Sequence, residues 1–128
     1  MDSMHGWQVL LVEEVAEWFD DLTKNDPDTA DLVEDAVDKL VAEGPILGRP
    51  LVDRIKGSRH HNMKELRPGS TGSSEIRILF VFDPVRRDVR LVAGDKSGNW
   101  RRWYEAAIPM ADDRYDIHLA ELETRDYQ

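Results

Sequence analysis

The chain reads as an α+β domain. An N-terminal strand and a helical hairpin are expected to pack on a mainly antiparallel sheet of about four strands, with helices at the C-terminal end. Three observations predict this. Apolar residues recur at helical spacing in two successive stretches before Gly44. They alternate at strand spacing from Glu75 to Asp83. No helical pattern separates the last three strand candidates, so short turns must join them and the sheet is mainly antiparallel, with helices expected on one face.

The elements follow in order. Trp7 to Val12 is short and β-prone and predicts the first strand. Val15, Trp18, Phe19 and Leu22 fall at i, i+3, i+4 and i+7, one stripe of a helix from about Glu13 to Lys24. Asn25-Asp26-Pro27-Asp28 breaks it and restarts: Asp26 is a suitable cap, and Pro27 suits the first helical position. Val33, Ala36, Val37, Leu40 and Val41 stripe a second helix, which Gly44-Pro45 stops. A break of about 3–5 residues makes the two an antiparallel hairpin.

Residues 45–61 read as irregular, punctuated by Pro45, Gly48, Pro50 and Gly57. So long a loop suggests function or docking along the sheet edge. Met63 to Arg67 is a strand candidate, and the Gly/Ser-rich stretch to Ser74 connects it to the next strand. From Glu75 to Asp83, Ile76, Ile78, Phe80 and Phe82 share one face, with Arg77, Leu79 and Val81 on the other. The hairpin should pack on the first of these faces through Trp18, Phe19, Leu22, Val33, Val37 and Leu40. Val89 to Gly94 returns as the partner strand. Asn99 to Ala107 reads as a helix that Pro109 breaks, and Asp112 to Leu122 as a last, acidic helix.

A chain of 128 residues without repeats or a linker is one domain, residues 1–128, large enough for a core of its own. It has no cysteine, which excludes a disulfide framework and thiolate chemistry. A polar N-terminus without an apolar h-region reads as no signal peptide, and no apolar run has the length of a membrane span. The expected location is cytoplasmic.

Net charge is −9, but its layout is uneven. Residues 1–48 carry 13 acids and 2 bases, residues 49–104 carry 13 bases and 6 acids, and residues 105–128 carry 7 acids and 2 bases. Local field, not net charge, decides what binds. Of the 17 basic residues 12 are arginine, which binds phosphate bidentately. The basic middle ends in Trp100-Arg101-Arg102-Trp103-Tyr104, where cations for phosphates alternate with rings for bases. His60, Lys64, Trp100, Arg101 and Arg102 are therefore candidate RNA contacts. The same middle read blandly is a strand-rich core with a solvated arginine face, its aromatics packing a helix on the sheet. The acidic hairpin is a solvated surface or a docking face for a basic partner segment.

His60 and His61 have the ordinary pKa nearest neutrality in the basic segment, so either is a candidate proton carrier; alternatively they only bond to loop backbone. His5 and His118, in acidic segments, are set aside. Four histidines without cysteine or His-x-x-x-His spacing give no metal site, and no cofactor is expected. Gly94-Asp95-Lys96-Ser97-Gly98 lacks the spacing of a nucleotide-binding loop.

The order of these pieces resembles the RelE/ParE toxin superfamily of type II toxin–antitoxin modules, in its HigB-type, phage-derived branch. The pieces are a helical hairpin, Met63-Lys64-Glu65-Leu66-Arg67, Glu75-Ile76-Arg77-Ile78-Leu79-Phe80, Leu91 to Trp100, and a short helix with an aromatic. They cover roughly residues 7–122. The resemblance implies a RelE-like fold and a ribosome-dependent mRNA endonuclease. It implies neutralisation by an antitoxin with a helix-turn-helix domain, through which alone operator DNA is met. Its implied catalytic residues are Arg77, the charge-stabilising arginine; Arg67, of the Leu-Arg step; Lys96, after the last strand's glycine; and Tyr104, near the helix tyrosine. His61 is the candidate base. The RelE branch carries two lysines where this chain has Met63 and Glu65. That departure keeps two alternatives open: a ParE-like inhibitor of DNA gyrase, and a non-catalytic corepressor.

Overall fold

The computed structural model describes residues 7–126. Its elements are β1 (Gln8–Leu11), α1 (Glu13–Asn25), α2 (Pro27–Glu43), a single 3₁₀ turn (Gly44–Ile46), β2 (Val52–Arg54), β3 (Lys64–Leu66), β4 (Ile76–Phe82), β5 (Arg87–Asp95) and α3 (Trp100–Asp126). The architecture is α+β, as expected, with five strands rather than about four. Strand order is β1-β5-β4-β3-β2; β1 runs parallel to β5 and every other pairing is antiparallel.

The hairpin is tighter than its sequence suggests. Asp26 alone separates α1 from α2, and its carboxylate accepts from the Thr29 backbone N–H at 3.2 Å and the Thr29 hydroxyl at 2.6 Å. Such a cap contributes ~1 kcal/mol. Trp18, Phe19 and Leu22 of α1 and Val33, Val37 and Leu40 of α2 pack on the face of Ile76, Ile78, Phe80 and Phe82, as the spacing predicts.

The other face is covered too. Met63, Leu79, Val81, Val89 and Leu91 form a second core with Ala107, Ala111 and Tyr115 of α3. The sheet is therefore sandwiched between helical layers rather than covered on one side. Leu79 and Val81 are as apolar as their opposite-parity neighbours, and a strand apolar on both faces is covered on both.

Pro109 does not break the last helix: α3 is continuous through it. A helix-interior proline costs ~3 kcal/mol. Ala107, Ala111 and Tyr115, at i, i+4 and i+8, bury on both sides of the proline, and that packing outweighs propensity.

Residues 45–61, read as irregular, contain β2, which pairs with β3 and makes the sheet edge. A bulge interrupts β5: Leu79 pairs with Val92 and Phe80 with Arg90, leaving Leu91 without a partner. Leu91 and Val92 both face α3, and Gly94 then lies opposite Arg77. Gly94 admits the Trp103 ring; a Cβ there would lie 2.7 Å from the indole nitrogen. Gly94→Ala is expected to destabilise the fold by ~1–3 kcal/mol, the usual scale of overpacking. Denaturant unfolding measures this, and an unchanged midpoint would show that α3 yields without strain.

Candidate active site

β3, β4, the turn after β5 and the start of α3 bring four of the five expected catalytic residues close together, three of them around Glu65, noticed in the sequence only where a lysine was missing. Glu65 points to the α3 side of β3, opposite in parity to Lys64, and is buried. Its carboxylate accepts from Tyr104 Oη at 2.5 Å, and from Arg67 Nε at 3.1 Å and Nη2 at 2.9 Å. Arg77 Nε lies 3.8 Å from Glu65 Oε1, too far for a hydrogen bond. Arg67 also pairs with Asp53 on β2 at 3.1 Å.

Arg77 is rigidly placed. Its strand is central, its side chain is 16% exposed, and Nη1 donates to the Ile76 carbonyl at 2.7 Å. Its buried Nε has no hydrogen-bond partner. A buried donor left unpaired is costly.

Lys96 sits in the turn after β5. Asp95 Oδ1 accepts from the Glu75 and Ser97 amides, both at 2.9 Å. These bonds hold the Asp95 carboxyl below its usual range against the opposing effect of burial. Lys96 Nζ lies 5.4 Å from the centre of the Tyr104 ring. Arg54 and Lys56, both missed by sequence reasoning, join Arg67, Lys96, Trp100 and Tyr104 around a cleft of about 570 Å³. Four cationic side chains thus line the cleft against the carboxylates of Glu65 and Glu75, and Arg77 adjoins Glu65.

Burial, and then the hydrogen bond to Glu65, push the Tyr104 phenol up to about 12, with nearby Arg77 opposing. Tyr104 therefore keeps its proton at neutral pH. Subtracting the ultraviolet titration of a Tyr104→Phe protein from that of the wild type is expected to isolate an ionisation near pH 12. A step at the ordinary value of 10.0 would contradict the buried contact. The sign for stability follows: this contribution is complete below the ordinary tyrosine range and is lost as pH rises toward about 12.

The expected RNA contacts divide. Trp100 is 56% exposed and lies edge-on to Tyr104, with ring centres 6.5 Å apart. Trp100 lines the cleft, Arg101 lies over the Trp100 ring beside it, and Arg102 is exposed. Trp103, not Trp100, packs the helix on the sheet. Lys64 turns the other way: Nζ reaches the Pro45 carbonyl at 3.4 Å and lies over the Phe82 ring. Burial, then the charge of Arg54, lower its pKa.

The histidine pair is not brought to the cleft. His60 Nε2 bonds to Asp116 Oδ1 at 2.7 Å, and its ring meets Tyr115 edge-on. Hydrogen bonds, first from Arg59 and then from His60, hold the Asp116 carboxyl below its usual range. Tyr115 lies eleven residues beyond Tyr104 on α3, about 17 Å along the axis at 1.5 Å per residue. His61, next in the chain, is exposed. His118, set aside as peripheral, is buried with its Nε2 2.8 Å from Asp83. His5 lies outside the described residues. Among those described, no group of histidines and carboxylates has the makings of a metal site, and no helix is long and apolar enough to cross a membrane.

Residues 17–116 match the family described as "Phage derived protein Gp49-like". The chain is 52% identical over 118 residues to a Mycobacterium tuberculosis protein named "Putative toxin HigB2". That match covers 92% of this chain but 57% of the relative's length. It is 50% identical over 112 residues to "Putative toxin HigB3" of the same organism, covering 88% of this chain and 93% of the relative. The chain belongs to the phage-derived Gp49-like family, and its relatives are of HigB type.

Proposed function

We propose that the chain is the toxin of a type II toxin–antitoxin pair and that it is an endoribonuclease that cleaves mRNA on the ribosome without a metal. The toxin reading is supported by the names of the two relatives, and the chemistry by one observation: Arg67, Arg77 and Tyr104 converge on Glu65 beside Lys96. An antitoxin with a helix-turn-helix domain is the expected partner.

RNA cleavage of this kind has three needs: deprotonating the 2′-OH, stabilising the charge that builds on phosphorus, and protonating the leaving 5′-oxygen. Glu65 accepts the 2′-OH proton as that oxygen bonds to phosphorus. Arg77, Arg67 and Lys96 hold the non-bridging oxygens. The bond to the 5′-oxygen breaks, leaving a 2′,3′-cyclic phosphate. Tyr104 gives its proton to the departing oxygen, because a phenol is a stronger acid than the alcohol being formed. Glu65 then returns a proton to Tyr104 along the hydrogen bond that already joins them. In this scheme Glu65 takes the role of base that His61 held in the sequence reading.

Induced expression with mapping of mRNA 5′ ends, run beside a gyrase supercoiling assay, tests the reading. New 5′ ends within coding sequence are the expected result. Inhibited supercoiling without cuts would favour the gyrase inhibitor, and neither effect would favour the corepressor.

A further inference from the structure

A second surface lies on the opposite side of the sheet from the cleft. α1, α2 and the β1 end of the sheet leave a groove of about 310 Å³ between them, walled by Leu11, Val15, Trp18, Phe19, Val37 and Ile78. Its floor is Arg90, whose charge is spent on the buried Asp88 at 2.8 Å. The apolar strip runs on past the groove, since Val9 and Leu11, on this face of the edge strand β1, are exposed. Glu34 and Asp38 of α2 line the groove.

Those two acids are unexplained by the fold. They stand at i and i+4, where like charges repel and weaken a helix. Neither has an ion-pair partner among the described residues; of the acids on α1 and α2, Glu14 alone has one, with Arg114. From Glu13 to Glu43 the hairpin carries twelve acids against Lys24 and Lys39. An apolar trough with an uncompensated acidic rim is complementary to one kind of occupant.

We propose that this groove is the docking site for an amphipathic helix of a partner chain. Two or three aliphatic side chains of that helix enter the trough, and its flanking lysines or arginines meet Glu34 and Asp38. An acidic segment, which would suit the basic cleft, is repelled here. The proposal does not depend on the nuclease reading, because neither Glu34 nor Asp38 touches the cleft.

The test titrates the whole chain with synthetic peptides while its backbone and indole NMR signals are followed. One peptide is a leucine–lysine–alanine helix with its leucines on one face. The second has the same composition in scrambled order, and the third carries glutamate in place of lysine. The first is expected to bind and to move the signals of Trp18, Val33 and Val37. Its affinity is expected to fall ~10-fold in a Glu34→Lys/Asp38→Lys protein and to weaken with salt. That variant is expected to cleave RNA at the wild-type rate. Equal binding of the scrambled peptide would reduce the surface to bare charge attraction and overturn the proposal. So would preference for the acidic peptide, or signal changes confined to Arg67, Lys96 and Tyr104. Self-association of the peptide-free chain that the same double substitution abolishes would name a second copy as the occupant, and would also overturn it. A chain that cuts no RNA but binds the first peptide in this way leaves the inference standing and the nuclease reading refuted.

Discussion

Arg77→Ala is expected to lower RNA cleavage by ~10²-fold or more, the scale of losing one preorganised donor to a developing charge. The residue is fixed on a central strand, and its buried Nε, without a partner in the free protein, is directed at the Glu65 side of the site. A donor already in place needs no reorganisation as charge builds, so it binds the phosphorane more tightly than the ground-state phosphate. Folding is expected to suffer little, ~1 kcal/mol, since the side chain makes a single backbone hydrogen bond, to Ile76. Arg77→Lys keeps the charge but loses the planar fork and is expected to fall between the two. Lys96→Ala is expected to slow cleavage less, because Lys96 rides on a turn rather than a strand. Rates on a defined mRNA, read beside thermal melting, separate these effects. Wild-type cutting by a folded Arg77→Ala protein would remove Arg77 from the site and favour a gyrase-inhibiting function.

What could be read from the sequence was local. The stripes at Val15–Leu22 and Val33–Val41 and the alternation at Ile76–Phe82 each report one face of one element, and the hairpin packs where they say. Arg77 was legible for the same reason: parity alone sets it against the Ile76 face. Features that need a partner were not legible. β2 is three residues among glycines and prolines, and it is a strand because Leu66, Glu65 and Lys64 lie beside it. The bulge at Leu91 depends on how β5 meets β4, which no window along β5 records. α3 passes through Pro109 because the sheet face of Leu79 and Val81 needs covering. The spacing of Ala107, Ala111 and Tyr115 was present, but the proline carried more weight in a local reading.

The site divides along the same line. Arg67, Arg77, Lys96 and Tyr104 came from a resemblance in order and spacing, and the fold gathers them. His61 was chosen by its ordinary pKa, a property of the isolated side chain; position belongs to the loop, which docks its neighbour His60 on Asp116. Glu65 was noticed only as a missing lysine. A single carboxylate in a short strand gives no local sign that Arg67, Arg77 and Tyr104, up to 39 residues away, will converge on it.

Glu65→Gln tests that convergence most severely. The substitution keeps the size of the side chain and an oxygen for Arg67, but removes the proton acceptor. Cleavage is expected to fall by ~10²–10⁴-fold, the range for losing a general base. RNA binding is expected to hold or tighten, because a negative charge leaves a cleft that must accept phosphate. That pairing separates Glu65 from Arg77, whose loss is expected to weaken phosphate binding and cleavage together. The pH–rate profile is a second check. If Glu65 is the base, cleavage by the wild type falls as acid protonates it, and the variant's residual rate loses that acid limb. A carboxylate that merely holds Arg67 and Tyr104 in place would leave the limb intact, and Glu65→Gln would then lower the rate only modestly, with Asp53 still pairing Arg67. Near-normal cleavage with the acid limb unchanged, in a protein that melts like the wild type, would return the search for the base to His61 and the loop that carries it.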